Sequence, residues 1–117
     1  VRGIDRLSLI QISNACHSAA LKVIDGTIKP GKLEGACFTV SLVATPGLSR
    51  FTALPNRFQS AILAVGAEYS RLSLGQDGVV QVNPVANLTL SYDHALCDAA
   101  YVAEFFNRLR QEIAKVT

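Results

Sequence analysis

The side chains of this sequence that could do chemistry gather in one short stretch. Asp93-His94-Ala95-Leu96-Cys97-Asp98 follows an alternating run, Leu88 to Tyr92, and leads into a segment with Val102, Phe105, Phe106, Leu109 and Ile113 on one helical stripe. Imidazole can take or give a proton near neutral pH, so His94 reads as a general base with Asp98, four residues on, as an orienting carboxylate. Asp98 is explained equally well as the cap of the helix that follows, its side chain accepting from the first free backbone N–H groups. Two other chemistries stay open at this point. Cys97 could be a nucleophile beside His94, although a small apolar role is commoner for such a thiol. Asp93, His94, Cys97 and Asp98 could hold a metal, but no second ligand pair occurs elsewhere and none is expected. Ser41 ends a strand beside a long loop, where a hydroxyl could donate to a developing oxyanion; taken alone it is an ordinary strand serine. His17 has no carboxylate or nucleophile near it in sequence and reads as a surface or boundary histidine.

Elements must place these groups, and the punctuation of the chain suggests which. Ser8 to Asp25 carries Leu9, Ile12, Cys16, Ala19, Ala20 and Val23 at near-helical spacing, with Ser8 as a cap and Gly26 as a stop. Its stripe is alanine-rich, which suits close packing on a sheet. Thr27 to Gly35 is turn-rich, and Cys37 to Val43 reads as a buried strand of β-formers. Ala44 to Asn56, with Pro46, Gly47 and Pro55, is a long loop of the kind that carries function on a rigid scaffold. Ala61 to Ala67 is continuously apolar, a strand buried on both faces. Gln76-Asp77-Gly78 marks a hairpin turn before Val79 to Val82, and Pro84 marks a break or an edge. Gly66, Gly75 and Gly78 make no phosphate-cradling loop. The order predicts an α+β domain with a mixed β-sheet flanked by helices.

Composition narrows the class further. The chain has 117 residues, enough for one domain with a modest core; 50% are hydrophobic and 17% charged, so it is neither disordered nor highly solvated. Such a balance suggests that something else covers part of the surface. A net charge of +2 without a basic run gives no argument for nucleic acid, and no apolar segment has the length of a membrane span. Three widely spaced cysteines fit a reducing compartment better than a disulfide frame.

Four segments in order resemble one family. Val1 to Leu9 is similar to a run into a long helix; Lys32 to Ser41 to Leu-x-Gly-Gly-x-Phe-Thr-Ile-Ser; Phe51 to Asn56 with Ala61 to Ala67 to a loop and central strand; Leu88 to His94 with Asp98 to Asp-His-Arg-x-x-Asp-Gly. Together they resemble the C-terminal part of the catalytic domain of the dihydrolipoamide acyltransferases, the core subunits of 2-oxo acid dehydrogenase complexes, over residues 1–117. The resemblance implies a chloramphenicol acetyltransferase-like fold, a homotrimer or larger core with active sites between subunits, and association with the other components of such a complex. It implies acyl transfer between a dihydrolipoyl thiol, carried on a separate domain, and coenzyme A, without a metal, in a bacterial cytoplasm or mitochondrial matrix. His94 would be the base, Ser41 of a neighbouring subunit the oxyanion donor, and Asp98 a carboxylate holding the geometry. Further segments would lie upstream, this chain being a fragment. The sequence departs from the pattern at Ala36, Leu42 to Ala44, Phe58, Ala95 (for arginine) and Ala99 (for glycine, which puts a Cβ at a tight turn). These departures suit either a divergent enzyme with another acyl group or a non-catalytic structural paralogue serving as scaffold; a third, unrelated class is a small α+β ligand-binding or regulatory domain whose His-Asp pair is only a helix cap.

Overall fold

A computed structural model describes residues 1–32 and 34–116. The chain divides into two compact units, Val1–Ala36 and Cys37–Thr117. In the first, a single 3-10 turn, Ile4–Arg6, precedes helix α1, Leu9–Ile24. Ser8 caps it through a reciprocal pair: its Oγ accepts from the Gln11 N–H and its own N–H donates to Gln11 Oε1 at 2.8 Å. Gly26 ends it at φ 65°, with Thr27 N–H reaching back to the Lys22 carbonyl and Gly26 N–H to that of Val23. Only a residue without a Cβ adopts that left-handed turn freely. The alanine-rich stripe of α1 contains no buried residue, so the expected close packing on a sheet is not seen within this unit.

The described residues of the second unit form five strands and a helix: β1 Phe38–Leu42, β2 Ala61–Val65, β3 Tyr69–Leu74, β4 Val80–Val85, β5 Leu88–Tyr92 and α2 Ala99–Ala114. β2 is the centre of a three-stranded sheet, parallel to β1 and antiparallel to β5. Its residues Ala61 to Ala64, with Ala67 just beyond, are the buried core, Ala64 being 1% exposed. This is the strand read as continuously apolar, and its central position is the reason it can be so. β3 and β4 form a separate antiparallel hairpin. Its turn is closed by Gly75 N–H on the Val79 carbonyl, with Gly78 at φ 77°. Pro84 stands opposite Ser70 in this two-stranded ribbon, where every strand is an edge.

The expectation of a buried β1 is corrected. Thr39 and Ser41 are half-buried, whereas Val40 and Leu42 are 63% and 69% exposed. β1 is an edge strand paired on one side only, and the described chain supplies no layer to cover those two side chains. α2 covers part of that sheet edge, its Phe105 ring lying 6.2 Å from that of Phe38. Val102, Phe105, Phe106 and Leu109 of its stripe are half-buried, and Ile113 is 47% exposed. The fold class is α+β, as expected, with a mixed sheet.

Candidate active site

β5 delivers His94. The strand pairs with β2 through Tyr92 opposite Ala61, and the Asp93 N–H donates to the Ser60 carbonyl at 2.9 Å, extending the ladder by one rung. The chain then turns sharply, and Asp93 makes the turn. Its Oδ1 accepts from the Ala95 N–H at 2.9 Å, while its carbonyl accepts from Leu96 N–H at 3.0 Å and Cys97 N–H at 3.3 Å. An aspartate that mimics a backbone turn in this way closes it with its own side chain, so the turn does not draw on the side chain of the next residue. His94 is accordingly exposed; among the described residues its imidazole has no hydrogen bond, and its ring contact is with Tyr92, centroids 5.8 Å apart.

Asp98 is the N-cap of α2, its Oδ1 accepting from the Tyr101 N–H at 2.9 Å. It has no hydrogen bond to His94. The structure therefore brings the two residues to opposite ends of one turn without joining them. Ala99 is the exposed first residue of α2, so its Cβ meets no crowding there. Cys97 is half-buried with Sγ 3.8 Å from the Asp93 carbonyl, a position of packing against the turn. No group of three or more His, Cys, Asp or Glu suited to a metal occurs among the described residues. His17 is an exposed residue of α1.

Ser41 sits on β1 opposite Ala64, which faces Thr89 across β2. It is half-buried, and its hydroxyl makes no hydrogen bond among the described residues. Within one chain it lies far from His94. The rung of Tyr92 is that of Phe38, so the two residues occupy opposite ends of the sheet and are separated by both strand spacings, roughly 15–20 Å from standard strand dimensions.

Each end of the sheet has its own brace. At the Ser41 end, Asn87 ties the 44–56 loop to the exit of β2: its Nδ2 donates to the Ser49 carbonyl at 2.9 Å, its Oδ1 accepts from Arg50 and from the Tyr69 hydroxyl, and its carbonyl accepts from Gly66 N–H. At the His94 end, Thr39, Asn56 and Gln59 share hydrogen bonds beneath a tight turn, Gln59 N–H closing on the Asn56 carbonyl at 3.0 Å. Sequence reasoning missed Asp93 as organiser and Asn87 as brace. The Asp-before-turn pattern was a usable signal for the first; the second pairs residues far apart in sequence.

The chain belongs to the 2-oxoacid dehydrogenases acyltransferase (catalytic domain) family, whose pattern matches residues 1–117. Over 97% of its length it is 33% identical to the dihydrolipoyllysine-residue acetyltransferase component of the mitochondrial pyruvate dehydrogenase complex of Dictyostelium discoideum, covering 18% of that protein. It is 30% identical, over 95% of its length, to the corresponding component from Bacillus subtilis, covering 25% of that protein. Its fold matches the dihydrolipoamide acetyltransferase of Azotobacter vinelandii at a TM-score of 0.86 and 30% identity, covering 99% of this chain and 47% of that one. The cubic core of a pyruvate dehydrogenase multienzyme complex matches at 0.86 and 29%, with the same coverage of 99% and 47%. The chain thus spans about half of these solved chains and a quarter or less of the curated relatives.

Proposed function

We propose that residues 1–117 are the C-terminal part of an acyltransferase catalytic domain that moves an acyl group between a dihydrolipoyl thiol and coenzyme A. The observation that carries the reading is His94: an imidazole presented to solvent by the Asp93 turn, with neither nitrogen hydrogen-bonded among the described residues. In the reaction, the His94 imidazole takes the proton of the attacking thiol. The thiolate adds to the thioester carbonyl carbon, and the carbonyl electrons move to oxygen. Ser41 donates its hydroxyl hydrogen to that oxyanion. Collapse expels the second sulfur, which recovers the proton from the imidazolium. The acyl–sulfur bond formed replaces the one broken, and no oxidant or metal is required.

Ser41 and His94 of one copy are too far apart to act on one carbonyl, which supports the reading in which a neighbouring copy supplies the serine. A homotrimer or larger core, as part of a 2-oxo acid dehydrogenase complex, follows from this reading. The uncovered β1 face and the hairpin's apolar face are surfaces of the kind that is normally covered, by the rest of the catalytic domain or by a neighbouring copy. Asp98 holds the turn by capping α2 rather than by touching the imidazole. Supporting this set of residues, the Azotobacter vinelandii enzyme has been investigated for the catalytic roles of a serine, a histidine and an asparagine. There the serine precedes the histidine by an interval within one residue of that from Ser41 to His94, and the asparagine follows the histidine by four, as Asp98 does. The relatives include mitochondrial and bacterial proteins, and the same two settings, matrix or cytoplasm, suit this one.

The test is acyl transfer from acyl-CoA to dihydrolipoamide by the full protein and its His94→Ala variant. Loss of a general base should lower kcat by about 10²–10⁴-fold. Equal rates would remove His94 from the mechanism, and no transfer by either would favour the scaffold reading to which Ala95 in place of arginine points.

A further inference from the structure

One residue of the His94-end turn is held where its type does not belong. Phe58 has φ 68°, and among the described residues no other non-glycine has positive φ. A bulky side chain in that region is strained by its own Cβ, at a cost of order 1–3 kcal/mol. Strain of this size persists only where the surroundings dictate the backbone, and here they do. The Asn56–Gln59 turn is closed by its own backbone bond and pinned to Thr39 by the Asn56 and Gln59 side chains, and the next residue, Ser60, is bonded both to the Cys37 carbonyl and to the Asp93 N–H. Within residues 1–117 burial of the ring is not the return on that strain, because Phe58 is 88% exposed there. What the conformation achieves is to present the ring to solvent with the Arg57 guanidinium over it, 4.9 Å from its centroid. A guanidinium stacked in this way keeps its in-plane N–H groups free and loses less rotamer freedom when an anion binds.

The location matters as much as the pair. Ser60, two residues from Phe58, is the residue whose carbonyl accepts from Asp93, the neighbour of His94. Summing backbone steps, the Cα atoms of Phe58 and His94 are no more than about 17 Å apart. That is within the length of an acyl-CoA, whose pantetheine arm carries its phosphates well away from the sulfur.

Resting on the reading of His94 as an acyl-transfer base, we propose that Arg57, carried on Phe58, is a specificity-determining residue that binds an oxyanion of the thioester substrate beside His94. The oxyanion is a phosphate of the coenzyme or the free carboxylate of a dicarboxylic acyl group. Arg57 touches neither the thiol nor the carbonyl that reacts.

The experiment uses the full protein with CoA and pantetheine as acyl acceptors, and with acetyl and succinyl thioesters as donors. Arg57→Gln should lower the CoA-to-pantetheine ratio of kcat/KM about tenfold if the anion is a phosphate, or the succinyl-to-acetyl ratio by as much if it is a carboxylate. Phe58→Gly keeps the backbone conformation and removes the ring; it should produce the same shift without lowering Tm, since glycine accepts φ 68°. Unchanged ratios in both variants, with His94→Ala still abolishing transfer, would overturn the proposal and leave the acyl-transfer reading standing. Should the wild type prove inactive, calorimetric titration decides. CoA or succinyl-thioester binding weakened in Arg57→Gln supports the anion site although the activity fails, and wild type that binds neither overturns it. Arg57 dependence seen only with a lipoyl domain, and not with free dihydrolipoamide, would overturn it in favour of a protein contact.

Discussion

At Gly66 the exit of β2 runs against the 44–56 loop so closely that a Cβ would overlap the Ser49 carbonyl. Backbone cannot retreat as a flexible side chain can, and both partners are already committed: Gly66 N–H to Asn87, Ala67 N–H to Leu48. Gly66→Ala should therefore cost about 1–3 kcal/mol, the usual penalty for overpacking. Urea unfolding would check this, an unchanged midpoint refuting the close approach. Gly75 tells a different story, since an added Cβ there meets only the ends of the Asp77 and Gln81 side chains. The contrast locates the rigid part of the fold beneath Ser41. The hydroxyl proposed to steady an oxyanion stands on a strand whose neighbour is locked to the loop by a single glycine.

Among the elements, α2 is the one through which the site is held. Its amino end is closed by Asp98, and the same residue ends the turn that carries His94. Asparagine caps as well as aspartate, whereas alanine does not. Asp98→Asn should keep both Tm and acyl transfer. Asp98→Ala should lose about 1 kcal/mol of stability together with part of kcat, measured by thermal unfolding and steady-state rates. A collapse of activity in Asp98→Asn at unchanged Tm would instead show that the negative charge itself acts on the imidazole. The helix caps, the Gln76–Gly78 hairpin and β2 were legible because each depends on residues close in sequence: Ser8 with Gln11, Gly26 after Val23, a glycine at a positive φ, an unbroken apolar run. So was the family, from four motifs in order. The exposure of β1 was not legible, since Val40 and Leu42 look the same in sequence whether their cover is in this chain or outside it. Nor was the left-handed Phe58, which its own residue type disfavours and only the Thr39–Asn56–Gln59 brace enforces. For the candidate site, the sequence supplied the residues proposed, but the separation of Ser41 from His94 needed the strand register.

Taken whole, the chain hides little of its apolar surface. On the hairpin, Leu72 faces Val82 and Leu74 faces Val80, and all four are between 62% and 72% exposed. A contiguous patch of this kind is normally covered, by the remainder of the domain or by another copy. The full protein should have a mass by light scattering that is a multiple of three copies, and Leu72→Glu should lower it while the far-UV circular dichroism is retained. A single-copy mass for the unaltered protein would return the His-Asp pair to the role of a helix cap. The hairpin also fixes how the sheet can assemble. Its neck, the Gly66 N–H on the Asn87 carbonyl, sets Val65 beside Leu88, so pairing of β5 with β2 continues a zipper begun at Gln76–Gly78 and incurs little further loss of chain entropy. Only the parallel union of β1 with β2, across the 43–60 segment, is a distant closure. The strand bearing Ser41 is thus the seam whose joining asks the largest sacrifice of chain freedom.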